Sequence, residues 1–300
     1  MLTYTEISSN KIKTDLFIAI FIAFIIALGF AFDYAYNSPG ILVFAVLFSV
    51  VSAVFSYYFS DSITLSMSHA EPVERKDNLV LYNIVDNLAI TAGLPTPKIY
   101  IINDPAMNAF ATGRDPKHAV ICVTAGLLQS MNKQELEGVL AHELSHVGNY
   151  DIRLSTIVVV LAGTVTLLAD WFLRFSFFGG RRKNNNDGSS IIFLIVGLLL
   201  AVLSPIAATI IQLAISRKRE YLADASGALL TRYPEGLASA LEKIQKESIP
   251  MAEASKATAH LYIANPLQGA DGKSKSLFAG LFDTHPPIEE RIKRLREMDI

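Results

Sequence analysis

Apolar residues run along this chain in two different patterns. Four stretches, residues 16–32, 41–59, 155–178 and 190–215, are apolar on every side and hold only two charges, Asp170 and Arg174. Elsewhere apolar positions recur with helical or alternating spacing. A helix that is apolar all round needs apolar surroundings all round. Each of these runs has at least about 17 residues, the minimum that crosses ~30 Å of hydrocarbon. The first two are joined by the turn sequence Asn37-Ser38-Pro39-Gly40 and predict a transmembrane hairpin over residues 1–60. Lys11 and Lys13 precede it, Arg75 and Lys76 follow it, and its connecting turn has no basic residue. The positive-inside rule therefore puts both ends in the cytoplasm. The second pair predicts another transmembrane or membrane-associated hairpin over residues 155–215. It carries Asp170 beside Trp171, a kink site at Ser204-Pro205, and a basic, Asn-rich loop over 179–188. Arg217-Lys218-Arg219 after it supports a cytoplasmic C-terminal part.

Between the hairpins, residues 61–154 read as the first part of a soluble domain, with residues 216–300 as its second. Val80, Leu81, Ile84, Val85, Leu88 and Ala89 predict a helix over 78–94, closed by Gly93 and Pro95. Residues 98–102, 108–112 and 119–124 are short, β-branched or aromatic runs that predict strands of a small sheet. Asn132 followed by Glu135 is a capping-box signal. The helix it opens has an apolar stripe at Leu136, Val139, Leu140 and Leu144. A last helix is predicted over 288–298. The fold class is therefore mostly α: transmembrane helices plus an α+β domain with a small sheet.

Composition sharpens this picture. Hydrophobic residues make up 51%, charged residues 18%, and the mean hydropathy is +0.37. Outside the four stretches the charged share returns to about 24%, the ordinary globular value. That excludes a disordered chain. A net charge of −2 leaves no field for nucleic acid, so no such partner is expected. The lone Cys122, in the apolar run 120–123, excludes an intramolecular disulfide and predicts a buried, inert thiol.

The chemistry concentrates on the capped helix, at Ala141-His142-Glu143-Leu144-Ser145-His146. Two histidines four apart emerge one turn apart on one helical face, so both imidazoles can meet one Zn²⁺. Glu143 can aim its carboxylate at a metal-bound water without ligating. A catalytic zinc site needs a third protein ligand and one open position. Arg219-Glu220-Tyr221-Leu222-Ala223-Asp224 offers Glu220 as that ligand. Asp224, on the same face, would accept the free ring N–H of a ligating histidine, His142 in particular.

At these residues the chain resembles the HtpX-like membrane zinc endopeptidases, relatives of the CAAX prenyl endopeptidases. The resemblance is carried by His142-Glu143-Leu144-Ser145-His146 with Asn149 and Asp151, by 219–224, by Asn108-Ala109-Phe110-Ala111-Thr112-Gly113, and by Thr284-His285-Pro286-Pro287. It implies a zincin-like (gluzincin) catalytic domain binding one Zn²⁺ through His142, His146 and Glu220, with Glu143 as base. It also implies cleavage of misfolded or damaged membrane proteins at the cytoplasmic face of the cell membrane. The partners would be unfolded protein substrate and membrane lipid; nothing in the sequence speaks to an oligomeric state.

Four further expectations follow. His285, held by two prolines, is a candidate donor to the oxyanion. Asn108, Ala109, Phe110 and Ala111 are suited to an edge strand that pairs with substrate backbone. Residues 253–276 could form a lid. His69, His118 and His260 are assigned to the surface. Two alternatives compete: a prenyl-protein processing endopeptidase, which would want more membrane spans, and a membrane adaptor or transporter with a structural metal, which would want a fourth protein ligand.

Overall fold

A computed structural model describes residues 2–36, 40–178, 217–247, 249–252, 254, 258–267 and 286–299. The apolar stretch 190–215, the loop 179–188, most of the lid candidate 253–276, the Asp170 side chain and His285 lie outside the described part.

Two long helices, α1 (Leu2–Tyr36) and α2 (Gly40–Met67), form the predicted hairpin. Within them Ile7–Phe30 and Leu42–Met67 are long and apolar enough to cross a membrane, yet only 22% of each window is buried. A soluble core helix would hide such residues. Here Phe44, Leu47, Val51, Phe55 and Tyr58 face outward, which suits lipid. The inward face of α2 is a row of small residues, Ala45, Ser49, Ala53, Ser56, Ser60 and Thr64, all buried. Small side chains let neighbouring helices approach closely. Against that row pack α1, through Phe21 and Ile25, and α6 (Asp151–Phe178), through Ile157 and Leu161.

Both hairpin helices outrun their apolar stretches. Asn10 and Thr14 on α1 and Ser60 and Thr64 on α2 are polar but buried, so the helices continue into the soluble domain. Leu65 joins Ile102, Phe110 and Cys122 in a core cluster. Burial pushes the Cys122 thiol well up, which keeps it neutral.

The sheet has strand order β1-β2-β4-β3, formed by β1 (Glu71–Pro72), β2 (Lys98–Ile102), β3 (Ala109–Thr112) and β4 (Val120–Thr124). β2 and β4 are parallel, with Lys98 opposite Val120. β3 is antiparallel to β4, with Ala109 opposite Val123. Helix α3 (Leu79–Ala92) is capped by Asn78, whose side chain accepts from the Leu81 amide, and ends at Gly93 with φ +67°. A short α4 (Ala125–Ser130) leads to α5 (Lys133–Gly148), which opens with the predicted reciprocal cap: Glu135 N–H donates to Asn132, and Asn132 N–H donates to Glu135. Val139, Leu140 and Leu144 of α5 share the main core with Leu81, Ile84 and Val85 of α3. On the other side of α5 lie α7 (Arg217–Thr231) and α8 (Pro234–Lys246), with α9 (Ile288–Arg296) behind them. A Cβ on Gly138 would stand 2.5 Å from Leu237 N, and one on Gly227 would stand 2.9 Å from His142 N. Only glycine permits these two crossings.

Candidate metal centre

Three elements meet at one point. α5 presents His142 and His146 one turn apart; α7, brought against it at Gly227, presents Glu220 and Asp224; α6 starts three residues after α5 with Asp151. His142 Nε2 and His146 Nε2 are 3.2 Å apart. Glu220 reaches them at 3.9 Å (Oε2 to His142) and 3.5 Å (Oε1 to His146). One donor atom from each of the three lies within 4.8 Å of the others. Two ligands about 2.05 Å from a tetrahedral zinc stand about 3.3 Å apart, so the imidazole pair has the spacing such an ion requires.

The far side of each ring is also held. His142 Nδ1 lies 2.9 Å from Asp224 Oδ1, and His146 Nδ1 lies 3.0 Å from Asp151 Oδ2. A proton donated from each Nδ1 to its carboxylate leaves both Nε2 lone pairs aimed at the shared point. Two such lone pairs at 3.2 Å repel unless a proton or a metal ion lies between them. The chemistry of the donor set thus fits a divalent ion.

Asp224 is itself clamped. Arg291, with no exposed surface, donates to its two oxygens at 2.9 and 2.7 Å and to Ile263 O at 3.1 Å. Burial opposes the Asp224 charge, but Arg291 and His142 outweigh it and hold the carboxyl down to about 2. On the rings, burial pulls His142 down. It opposes the charge on His146 as well, yet Asp151, Glu220 and Glu143 push that ring up to about 9. The difference has a simple source: the carboxylate beside His142 is shared with a guanidinium, whereas His146 faces negative charge that attracts cations. Burial lifts Glu143 to about 7, helped by Glu220 and opposed by His146 and Arg291. A base poised there can both take and return a proton near neutrality.

Glu143, His146 and Glu220 line a cavity of about 30 Å³ with Ala111, Asp151, Ile152, Ser155, Arg219, His260 and Leu261. It has room for at least one water. The assignment of His260 to the surface is corrected here: it is 7% exposed and sits on a 3₁₀ turn (Ala259–Leu261) at the cavity wall. Tyr262 packs edge-on against Phe110, which draws that turn inward and buries the ring. His69 and His118 are exposed, as expected.

Residues 108–111 divide into two roles. β3 is an edge strand, but Ile263 N–H donates to Ala109 O at 2.9 Å, and the Asn108 side chain donates to Ala264 O and accepts from Ala264 N–H. Asn108 and Phe110 are buried. Ala111 alone of the four borders the cavity, where its backbone hydrogen-bonds Glu143. Sequence reasoning missed Asn10 and Arg291 as site residues and read Arg219 only as part of a basic flank and of the 219–224 motif. Arg291 did leave a trace, because it occupies the apolar face of its helix between Ile288 and Leu295.

Peptidase family M48 matches residues 75–299. The Protease HtpX homolog of Caldanaerobacter subterraneus subsp. tengcongensis is 50% identical over 262 residues, covering 86% of this chain and 85% of that protein. The Protease HtpX homolog of Tropheryma whipplei (strain Twist) is 47% identical over 297 residues, 99% of both chains. In fold, the chain is similar to the crystal structure of S. mikatae Ste24p, with a TM-score of 0.52 at 21% identity over 97% of this chain and 67% of that one.

Proposed function

This chain belongs to peptidase family M48, among the HtpX proteases, and on that premise we propose that it is a multi-pass zinc endopeptidase of the cell membrane. It would hydrolyse misfolded or damaged membrane proteins at the cytoplasmic face. The observation that carries the reading is the convergence of His142, His146 and Glu220, from two helices far apart in sequence, on one point beside Glu143. A closed structural site would call for a fourth protein ligand, and among the described residues only these three form such a group.

When bound, zinc supplies a water activated near neutral pH and polarisation of the scissile carbonyl. His142, His146 and Glu220 hold the ion. Asp224 and Asp151 fix the tautomer and direction of the two rings. Glu143 takes the proton of the attacking water and returns it to the leaving amine, so that no covalent enzyme intermediate forms. Burial of Glu143 and His142 keeps bulk water from competing for that proton. Ala111, which borders the cavity beside Glu143, would steer the substrate backbone past it. His285, six residues before the fully buried Arg291, remains a proposed oxyanion donor.

The orientation rests on Lys11, which stacks over Tyr150 directly after the metal-binding helix. The basic flank of the hairpin and the catalytic residues therefore lie on one side of the membrane, the cytoplasmic side by the positive-inside rule. Casein cleavage by detergent-purified protein tests the reading. Loss on chelation and recovery with zinc are expected, with E143Q inactive; chelator-resistant cleavage would refute it.

A further inference from the structure

The first membrane helix reaches the metal centre. Asn10 of α1 is 1% exposed, and its amide uses both ends. Nδ2 donates to Asp151 Oδ1 at 2.7 Å and to Asn149 O at 3.0 Å, while Oδ1 accepts from Arg219 Nη1 at 3.2 Å. Each partner adjoins a ligand. Asn149 caps the helix that carries His146, Asp151 holds His146 through its other oxygen, and Arg219 precedes Glu220. One amide on α1 thus ties together α5, α6 and α7.

The two histidines are supported in parallel ways. Asp224 holds His142 and is fixed by Arg291; Asp151 holds His146 and is fixed by Asn10, with Arg219 at 3.5 Å. A carboxylate bound at only one oxygen can turn about its side-chain bond. Fixing Oδ1 aims Oδ2 at the ring. The constraint matters more for His146, whose side chain is 15% exposed against 1% for His142. Lys11 over Tyr150 and Asp15 with Arg153 at 2.9 Å hold this end of α1 in place.

We propose that Asn10 is a positioning residue of the metal centre: it orients Asp151 on His146, so that zinc is held tightly only when the N-terminal end of α1 is docked on the α5–α6 junction. A chain whose first helix has not docked would then be a poor peptidase. The inference rests on the metal site proposed above.

Zinc dissociation constants of the full chain in detergent, measured by chelator competition, test it. The variants are N10A, N10D and T14V. N10D keeps the volume and removes both donors, so it decides the matter if N10A fails to fold. Thr14 is buried on the same helix and its hydroxyl donates to the Asn10 backbone oxygen, so T14V perturbs α1 without touching the Asn10 side-chain amide. Removing outer-shell support typically weakens metal binding 10–100-fold. About tenfold is expected for N10A and N10D, with altered visible bands of the Co²⁺-substituted protein and wild-type affinity in T14V. Wild-type affinity in N10D, or an equal loss in T14V, would overturn the inference while leaving the metal site intact. A wild-type protein that bound no zinc would overturn both.

Discussion

Replacing Arg291 by Met keeps a long side chain in its slot and removes one buried charge. The guanidinium makes two hydrogen bonds to Asp224 and one to Ile263 O, with no exposed surface. Breaking a buried ion pair from one side costs about 3–5 kcal/mol, because the remaining charge is stranded. The Asp224 carboxyl, now held down to about 2, would lose its main opposition to burial and rise. Once protonated, it loses its charge and accepts only weakly from His142 Nδ1, and zinc affinity should fall about 10–100-fold. Two measurements separate the effects: the melting temperature of the zinc-free protein, and zinc affinity by chelator competition. The double variant R291M/D224L should recover part of the stability, since no charge is left stranded, but none of the affinity. Wild-type affinity in R291M would refute the claim that the ionised Asp224 orients His142.

Other outcomes follow from the same geometry. G227A pushes a Cβ to 2.9 Å from His142 N, and backbone on both sides cannot yield; turnover should fall at least tenfold, with a lowered melting temperature, and a normal melting temperature would count against it. E143Q should bind zinc as the wild type does while losing about 10²–10⁴-fold in kcat, checked by metal analysis beside a peptidase assay. Because the Glu143 carboxyl is raised to about 7 and must be ionised to act, kcat/KM should fall as pH drops below about 7; a limb near pH 4.5 would argue against a buried base.

What could be read from the sequence was local. The cap at Asn132, the stripe behind His142 and His146, and the i, i+4 pairs at 142/146 and 220/224 all arise within one helix. Spacing alone therefore gave the faces of each element. The need of a zinc site for a third ligand then paired the 142/146 face with the 220/224 face, but spacing could not say what else meets there. Asn10 finds Asp151 across 141 residues and Arg219 across 209, and its surroundings read as an ordinary flank of a membrane helix. His260 looked polar and peripheral until Tyr262 packed on Phe110 and carried the turn inward. The edge strand was legible as a strand. That Ile263 and Ala264 bind its first half was not, because that pairing joins residues more than 150 positions apart.

The central claim is a single ion gripped by two imidazoles and one carboxylate. X-ray absorption at the zinc edge, on wild type and E220A reconstituted with one equivalent of metal, tests it most directly. The account predicts two histidine nitrogens at about 2.0–2.1 Å plus oxygen ligands in the wild type, and the loss of tight binding in E220A. Unchanged affinity and an unchanged spectrum in E220A would contradict it.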